Sequence, residues 1–306
     1  MNHLDALKAH HADQATIAKS IYINSRTPLQ DAQDWLTVLR LARKQISAAL
    51  RASEYLTDIP AALLKSGVHM LAFRHMTAPP ISQDQFCLIC PEWRKATEKS
   101  ERSRVKPAEA VAIAKVFEVR RSRPLTPWLD SKRMPRSSEI RRLLWEIAPL
   151  IASQQIQTIQ RTRAAVAQEA AIINLLSKKG WIKKSSSLLD KRAELPHRNF
   201  MHKTRYATAT TAPQEVDIAL GLKNTIVLAM ECKVSNDATN SVKRINDVLK
   251  KSAAWKSHWG SFVKTAALLQ GVIAAKDVAR LIDDGVEVFW SHNLTDFEKW
   301  IEDQSQ

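Results

Sequence analysis

Only three cysteines occur in 306 residues, an odd count that argues against a disulfide framework. Cys87 and Cys90 have the spacing of half a zinc site, but no second Cys-x-x-Cys follows. They read as small apolar residues on an Ile/Leu-rich segment. Long hydrophobic runs are missing too: the longest, near Ala266–Ala275, is too short to span a bilayer. The start, Met1-Asn2-His3-Leu4-Asp5, lacks the charged-then-apolar plan of a signal peptide, and no lipidation motif stands out. A cytoplasmic protein that engages no membrane is expected. Acidic residues are the remaining shortage, 31 against 46 basic, which leaves a net charge of +15. That excess suggests a polyanionic partner, most simply nucleic acid.

What is present is enough chain for two domains, with ordinary hydrophobic (45%) and charged (25%) fractions. Residues 1–33 are polar and predict one short helix. Helical periodicity then runs from Asp34 to Arg51, with Trp35, Leu39, Ala42, Ile46 and Ala49 on one side. Further helices are expected over Pro60–Phe73, Pro107–Arg121 and Ser138–Ile151, with prolines punctuating between them. Basic residues crowd the stretch from Arg94 to Arg142. Residues 1–150 are therefore expected to form a basic, all-helical domain that contacts DNA.

A long helix follows from Ser153 to Lys179, closed by Gly180. Glu169 shares a face of it with Ala165, Ile172 and Leu176, which puts a carboxylate on an apolar stripe. Phe200–Thr208 predicts a strand with Lys203 and Arg205 opposite Phe200, His202 and Tyr206, two bases that read either as phosphate contacts or as a solvated edge. Two more strands, Gln214–Leu220 and Ile226–Lys233, flank the turn signal Gly221-Leu222-Lys223-Asn224. Val216, Ile218 and Leu220 are expected on one face of the first, with Asp217 on the other.

A hairpin with a three-residue loop, Lys223-Asn224-Thr225, sets Asp217 opposite Glu231; a two-residue loop would turn it to the wrong face. Glu231 and Lys233 point to the same side because side chains alternate along a strand. Two carboxylates and an ammonium at the end of an apolar hairpin need compensation. A divalent cation supplies it: the two carboxylates, the main-chain carbonyl of Cys232 and waters suit Mg²⁺. Lys233 would then orient or polarise a water. The bland alternative is a buried Asp–Lys–Glu network.

Beyond Lys233 the chain turns polar. Ser235, Asn236, Asn240, Lys243 and Arg244 occupy the entry to a helix running to Trp259, either as caps or as contacts to phosphates and base edges. Thr265–Ile273 and Val286–Trp290 predict strands, Lys276–Asp284 a helix, and Thr295-Asp296-Phe297-Glu298 a capping box that opens a last helix. From Ser153 the order is α-β-β-β-α-β-α-β-α, a mixed sheet flanked by helices.

Asp217 followed by Glu231-Cys232-Lys233 resembles the D…(D/E)-x-K motif of the PD-(D/E)XK nuclease superfamily. The stretch Val234–Arg244 makes the chain more particularly similar to XamI-type type II restriction endonucleases. Val216 stands where the superfamily's name has proline. The superfamily resemblance covers residues 151–306 and implies an αβββαβ core, an α/β (α+β) restriction-endonuclease-like fold. It implies Mg²⁺-dependent, site-specific hydrolysis of double-stranded DNA, with Asp217 and Glu231 on the metal, Glu169 as a further acidic ligand, and Lys233 at the water. A homodimer on a palindromic site and a cognate methyltransferase in the host also follow from it. The competing expectations are a repair or junction-cleaving nuclease of the same superfamily and a non-catalytic DNA-binding protein.

Overall fold

The computed structural model describes residues 3–304, which form two compact units. One comprises residues 28–158; the other joins the chain up to Thr27 to everything from Ile159 onward. The boundary between the units falls inside the helix that spans Ser137–Lys178, and the first helix belongs to the C-terminal unit.

The 28–158 unit is helical: α2 (Pro28–Ala52), α3 (Ile59–Lys65), α4 (Met70–His75), α5 (Gln83–Ile89), α6 (Pro107–Arg120), the single turn α7 (Pro127–Asp130) and the first half of α8 (Ser137–Lys178), with α1 (His3–Ser25) in the other unit. Val38, Ala42, Ile46 and Ala49 recur at helical spacing and are buried. The helix expected over Pro60–Phe73 is interrupted at Ser66, whose backbone is extended. At Gly67 a Cβ would overlap the Thr97 carbonyl, so the chain passes too close there for a larger residue. Arg74 is buried against Glu98, its Nη2 donating to Oε1 at 2.9 Å. Cys87 and Cys90 are free thiols; the Cys87 sulfur donates to the Trp93 carbonyl and the Cys90 sulfur to a Glu92 carboxylate oxygen. The two helices expected on either side of residue 152 are one 42-residue helix, α8, which carries Pro149 internally.

The C-terminal unit is built on a sheet. After α8 come two-residue strands β1 (Ile182–Lys183) and β2 (Leu188–Leu189), then β3 (Asn199–Tyr206), β4 (Gln214–Gly221) and β5 (Val227–Ser235). α9 (Ala238–Trp259), β6 (Val263–Gly271), α10 (Ala275–Asp283), β7 (Glu287–Trp290) and α11 (Leu294–Asp303) complete it. The sheet runs β1-β3-β4-β5-β6-β7, with β2 also on β3. β3–β4 and β4–β5 are antiparallel, β5–β6 and β6–β7 parallel. This is the mixed α/β arrangement expected, with two short strands added at one edge.

Helices cover both faces. Ile172 and Leu176 of α8 and Phe297 and Ile301 of α11 pack on Ile218, Leu228, Met230 and Leu268. On the other face Ile245 and Val248 of α9 and Val278 and Leu281 of α10 meet Ala267, Leu269 and Trp290. Ala15 and Ala18 of α1 join that second layer, and Trp290 Nε1 donates to His11 Nδ1 at 3.1 Å. The expected capping box at Thr295 does not form, because the helix starts at Leu294 with Asn293 as its cap residue.

His11 and His75, one in each unit, are held neutral. Burial first, then His10 for one and Arg74 for the other, lowers both from 6.5 to about 4. A folded-state value below the unfolded one contributes stability that is complete above 6.5 and is lost as the pH falls toward 4. The melting temperature is thus expected to drop through that window, and a His11→Gln/His75→Gln variant to show a shallower drop. Equal slopes for the two proteins would remove these histidines from the account.

Candidate active site

The β4–β5 hairpin has the register expected from sequence. Ile218 pairs with Met230, Ala219 with Ala229, Leu220 with Leu228 and Gly221 with Val227. Leu222 N–H donates to the Ile226 carbonyl at 2.8 Å, which encloses Lys223, Asn224 and Thr225. The last two take positive φ, 55° and 57°. One step beyond the ladder, Asp217 comes level with Glu231, and its Oδ2 accepts the Cys232 main-chain N–H at 2.8 Å.

Glu231 is fully buried. Its Oε2 accepts from Lys233 Nζ at 2.6 Å and from Lys251 Nζ at 2.9 Å, while Oε1 is buried with no hydrogen-bond partner. Desolvation drives the Glu231 carboxyl above its usual range, against the pull of Lys233. Lys233 also donates to Asp247 Oδ2 at 2.8 Å. Burial pulls the Lys233 ammonium down, but Glu231 and Asp247 outweigh it and hold the group above its ordinary value. Lys233 is therefore a charged donor.

β3 departs from the expected alternation. Lys203 has φ 55°, and the ladder skips from His202–Ile218 to Thr204–Val216. Phe200 and Ile218 face α8, yet Tyr206 and Val216 face α9, so both strands reverse their faces at Lys203 and Asp217. Phe200 and Tyr206 therefore do not share a face, and neither do Val216 and Ile218. The register is the same on both sides of the step, so no residue is inserted; both strands turn over together, which re-aims the side chains at this sheet end. Here the reversal brings the Lys203 ammonium toward α8 while the side chain stays largely exposed: its Nζ lies 2.7 Å from Glu169 Oε1 and 3.8 Å from Asp217 Oδ1.

Glu169 is buried on α8 and is also engaged by His202 Nε2, at 2.7 Å from Oε2. The neighbouring Gln168 Nε2 donates to the Leu268 carbonyl at 3.0 Å and to Ser291 Oγ at 2.7 Å, which pins this turn of the helix to the sheet. Glu169 thus reaches the site through Lys203. Among the described residues no three His, Cys, Asp or Glu side chains converge as a ligand group. What remains for a cation is the hairpin: Asp217, the orphaned Oε1 of Glu231 and the Cys232 carbonyl. An all-oxygen, anionic donor set of this kind fits Mg²⁺.

The expected DNA contacts lie around this point. Lys203 and Arg205 are exposed on β3. Ser235 is buried, its Oγ donating to the Asp237 carbonyl at 2.7 Å. Asn240 donates N–H and Nδ2 to the carboxylate of Asp237, the cap residue of α9, so part of the polar entry is capping. Lys243 is exposed, and Asn236 and Arg244 are half-buried. Sequence reasoning missed Asp247 and Lys251, one helical turn apart on α9. Such a pair reads as a surface ion pair, although its place on the helix after a Glu-x-Lys strand was a usable signal.

The fold is restriction-endonuclease-like, a mixed sheet with a cluster of acids and lysines at the end of a central hairpin. The XamI restriction endonuclease family model matches residues 54–290. The chain belongs to that family, whose members are type II restriction enzymes. It is 29% identical over 194 residues to type II restriction enzyme XamI of Xanthomonas campestris pv. amaranthicola, covering 62% of this chain and 67% of that one. It is also similar to protein VC1899 of Vibrio cholerae, a solved structure, at 10% identity and a TM-score of 0.32, covering 92% of this chain and 58% of that one.

Proposed function

We propose that this restriction endonuclease hydrolyses phosphodiester bonds of double-stranded DNA at a palindromic site, as a Mg²⁺-dependent homodimer in the cytoplasm, with a cognate methyltransferase protecting the host. The observation that carries the chemistry is Glu231: a fully buried carboxylate with one oxygen clamped by two ammonium groups and the other unpartnered. Asp217, Glu231 and the Cys232 carbonyl would hold Mg²⁺, with Glu169 joining through rearrangement of its bonds to Lys203 and His202. Bound there, the ion would supply positive charge to the developing phosphorane and the leaving 3′ oxygen.

Lys233, charged and aimed along the face of Glu231, donates a hydrogen bond that orients the attacking water and steadies a phosphate oxygen. As a donor it does not take the water's proton. Arg205, Lys243 and Arg244 contact backbone phosphates, with Lys203, Ser235, Asn236 and Asn240 at the same sheet end. The basic helical unit adds further phosphate contacts. Homodimerisation matches the two-fold symmetry of a palindrome.

Purified protein incubated with unmethylated phage-sized DNA is expected to give discrete bands with Mg²⁺ and none with EDTA. A smear would favour a non-specific or structure-selective nuclease. Retarded but intact DNA would leave a binding protein and overturn the assignment of Asp217, Glu231 and Lys233.

A further inference from the structure

Asp247 and Lys251 sit at i and i+4 on α9, where an acid and a base ordinarily support each other across one helical turn. Here each reaches the hairpin instead. Asp247 accepts from Lys233, and Lys251 donates to Glu231 Oε2 and, at 2.9 Å, to the main-chain carbonyl of Glu215. Glu215 lies on β4 and Glu231 on β5, so the Lys251 ammonium is tied to a fixed backbone point on one strand while it grips a side chain on the next.

Its side chain is only 15% exposed, which is costly for an ammonium unless the contacts it makes are needed. Charge neutralisation alone does not need it, because Lys233 already contacts the same oxygen. What the second donor adds is direction. With two ammonium groups on Oε2, the carboxylate cannot rotate without stripping both of an acceptor, and Oε1 stays unpartnered. Asp247 restrains Lys233 from the other side, so the arrangement is held at both ends.

We infer that Lys251 is a positioning residue for Glu231, fixing the carboxylate so that Oε1 is presented to the cation. This rests on the reading of Glu231 as a metal ligand. The role is orientation of a ligand by its hydrogen-bond partner, and loss of such partners ordinarily weakens metal affinity or activity by about 10–100-fold.

The test compares wild type, Lys251→Met, Lys251→Arg and Glu231→Gln. Mn²⁺ binding to the DNA-free protein is followed by loss of the free-ion electron paramagnetic resonance signal, and the Mg²⁺ dependence of cleavage is measured separately. Lys251→Met is expected to raise both half-saturation concentrations by about tenfold or more. At saturating metal its cleavage should approach the wild-type rate, and Lys251→Arg should restore much of the affinity. Lys251→Gln carries the same comparison if the methionine variant does not fold.

A wild type that binds Mn²⁺ and cleaves, beside a Lys251 variant with unchanged metal dependence, overturns the inference. So does a variant that melts earlier and cleaves more slowly at every metal concentration without a shifted half-point, since that is a structural brace. A wild type that neither binds Mn²⁺ nor cleaves overturns the nuclease reading itself.

Discussion

Replacing Lys233 by methionine is expected to lower DNA cleavage by about a hundred- to a thousandfold while leaving DNA retardation close to wild type. The magnitude is that of removing one preorganised donor from a site that excludes water. Methionine fills most of the lysine's volume, and Lys251 still neutralises Glu231, so the buried carboxylate is not left uncompensated. Asp247, half exposed, returns to solvent at little cost. Stability is therefore expected to change little.

Glu231→Gln separates the roles further. It keeps the shape but removes the charge facing two ammonium groups, so cleavage should vanish and the protein should also lose stability. Cleavage rates, gel retardation and melting temperatures on the same three proteins check this. If Lys233→Met melts far below wild type and its cleavage loss merely tracks the unfolded fraction, the lysine is structural and the catalytic assignment is wrong.

The hairpin register was readable because the turn signal at Gly221–Asn224 allows a three-residue loop, which brings Asp217 level with Glu231, whereas a two-residue loop would set Asp217 beside Met230. The burial of Glu169 was readable from its place on an otherwise apolar stripe of α8. The reversal at Lys203 was not. A lysine with positive φ carries no composition signal, and the strand on either side of it alternates normally. The place of α1 was equally hidden. Its buried residues are His11, Ala15 and Ala18, small or polar groups that make no apolar stripe. Asp247 and Lys251 escaped because their helix shows a clean apolar face through Ile245 and Val248, and charged residues beside such a face default to solvent. Only the strand end that α9 crosses makes them part of the site.

Gly271→Ala is expected to be the most damaging single-methyl change at this end of the sheet. Gly271 closes β6 with φ +87°, a conformation that costs any other residue about 1–2 kcal/mol. Strain is the smaller part. A Cβ would overlap the carbonyl oxygen of Ser235, its partner at the end of β5, and that carbonyl also accepts the Val272 N–H at 2.8 Å. Relief requires β6 to move off β5, with loss of that hydrogen bond, about 1 kcal/mol, and overpacking costs of roughly 1–3 kcal/mol. Together these predict about 3–6 kcal/mol, a fall of roughly 6–24 °C in melting temperature for a unit of this size.

Gly260→Ala provides the comparison. Gly260 also has positive φ, +58°, but nothing lies within 4 Å of its Cβ position, so only the conformational penalty applies. The displaced strand end leads through Ser235 into Asp237, the cap of α9, and α9 carries Asp247 and Lys251. Gly271→Ala should therefore also cleave more slowly than Gly260→Ala at temperatures where both remain folded. Equal losses of stability in the two variants would mean that the close approach of β6 to Ser235 does not hold the site in place.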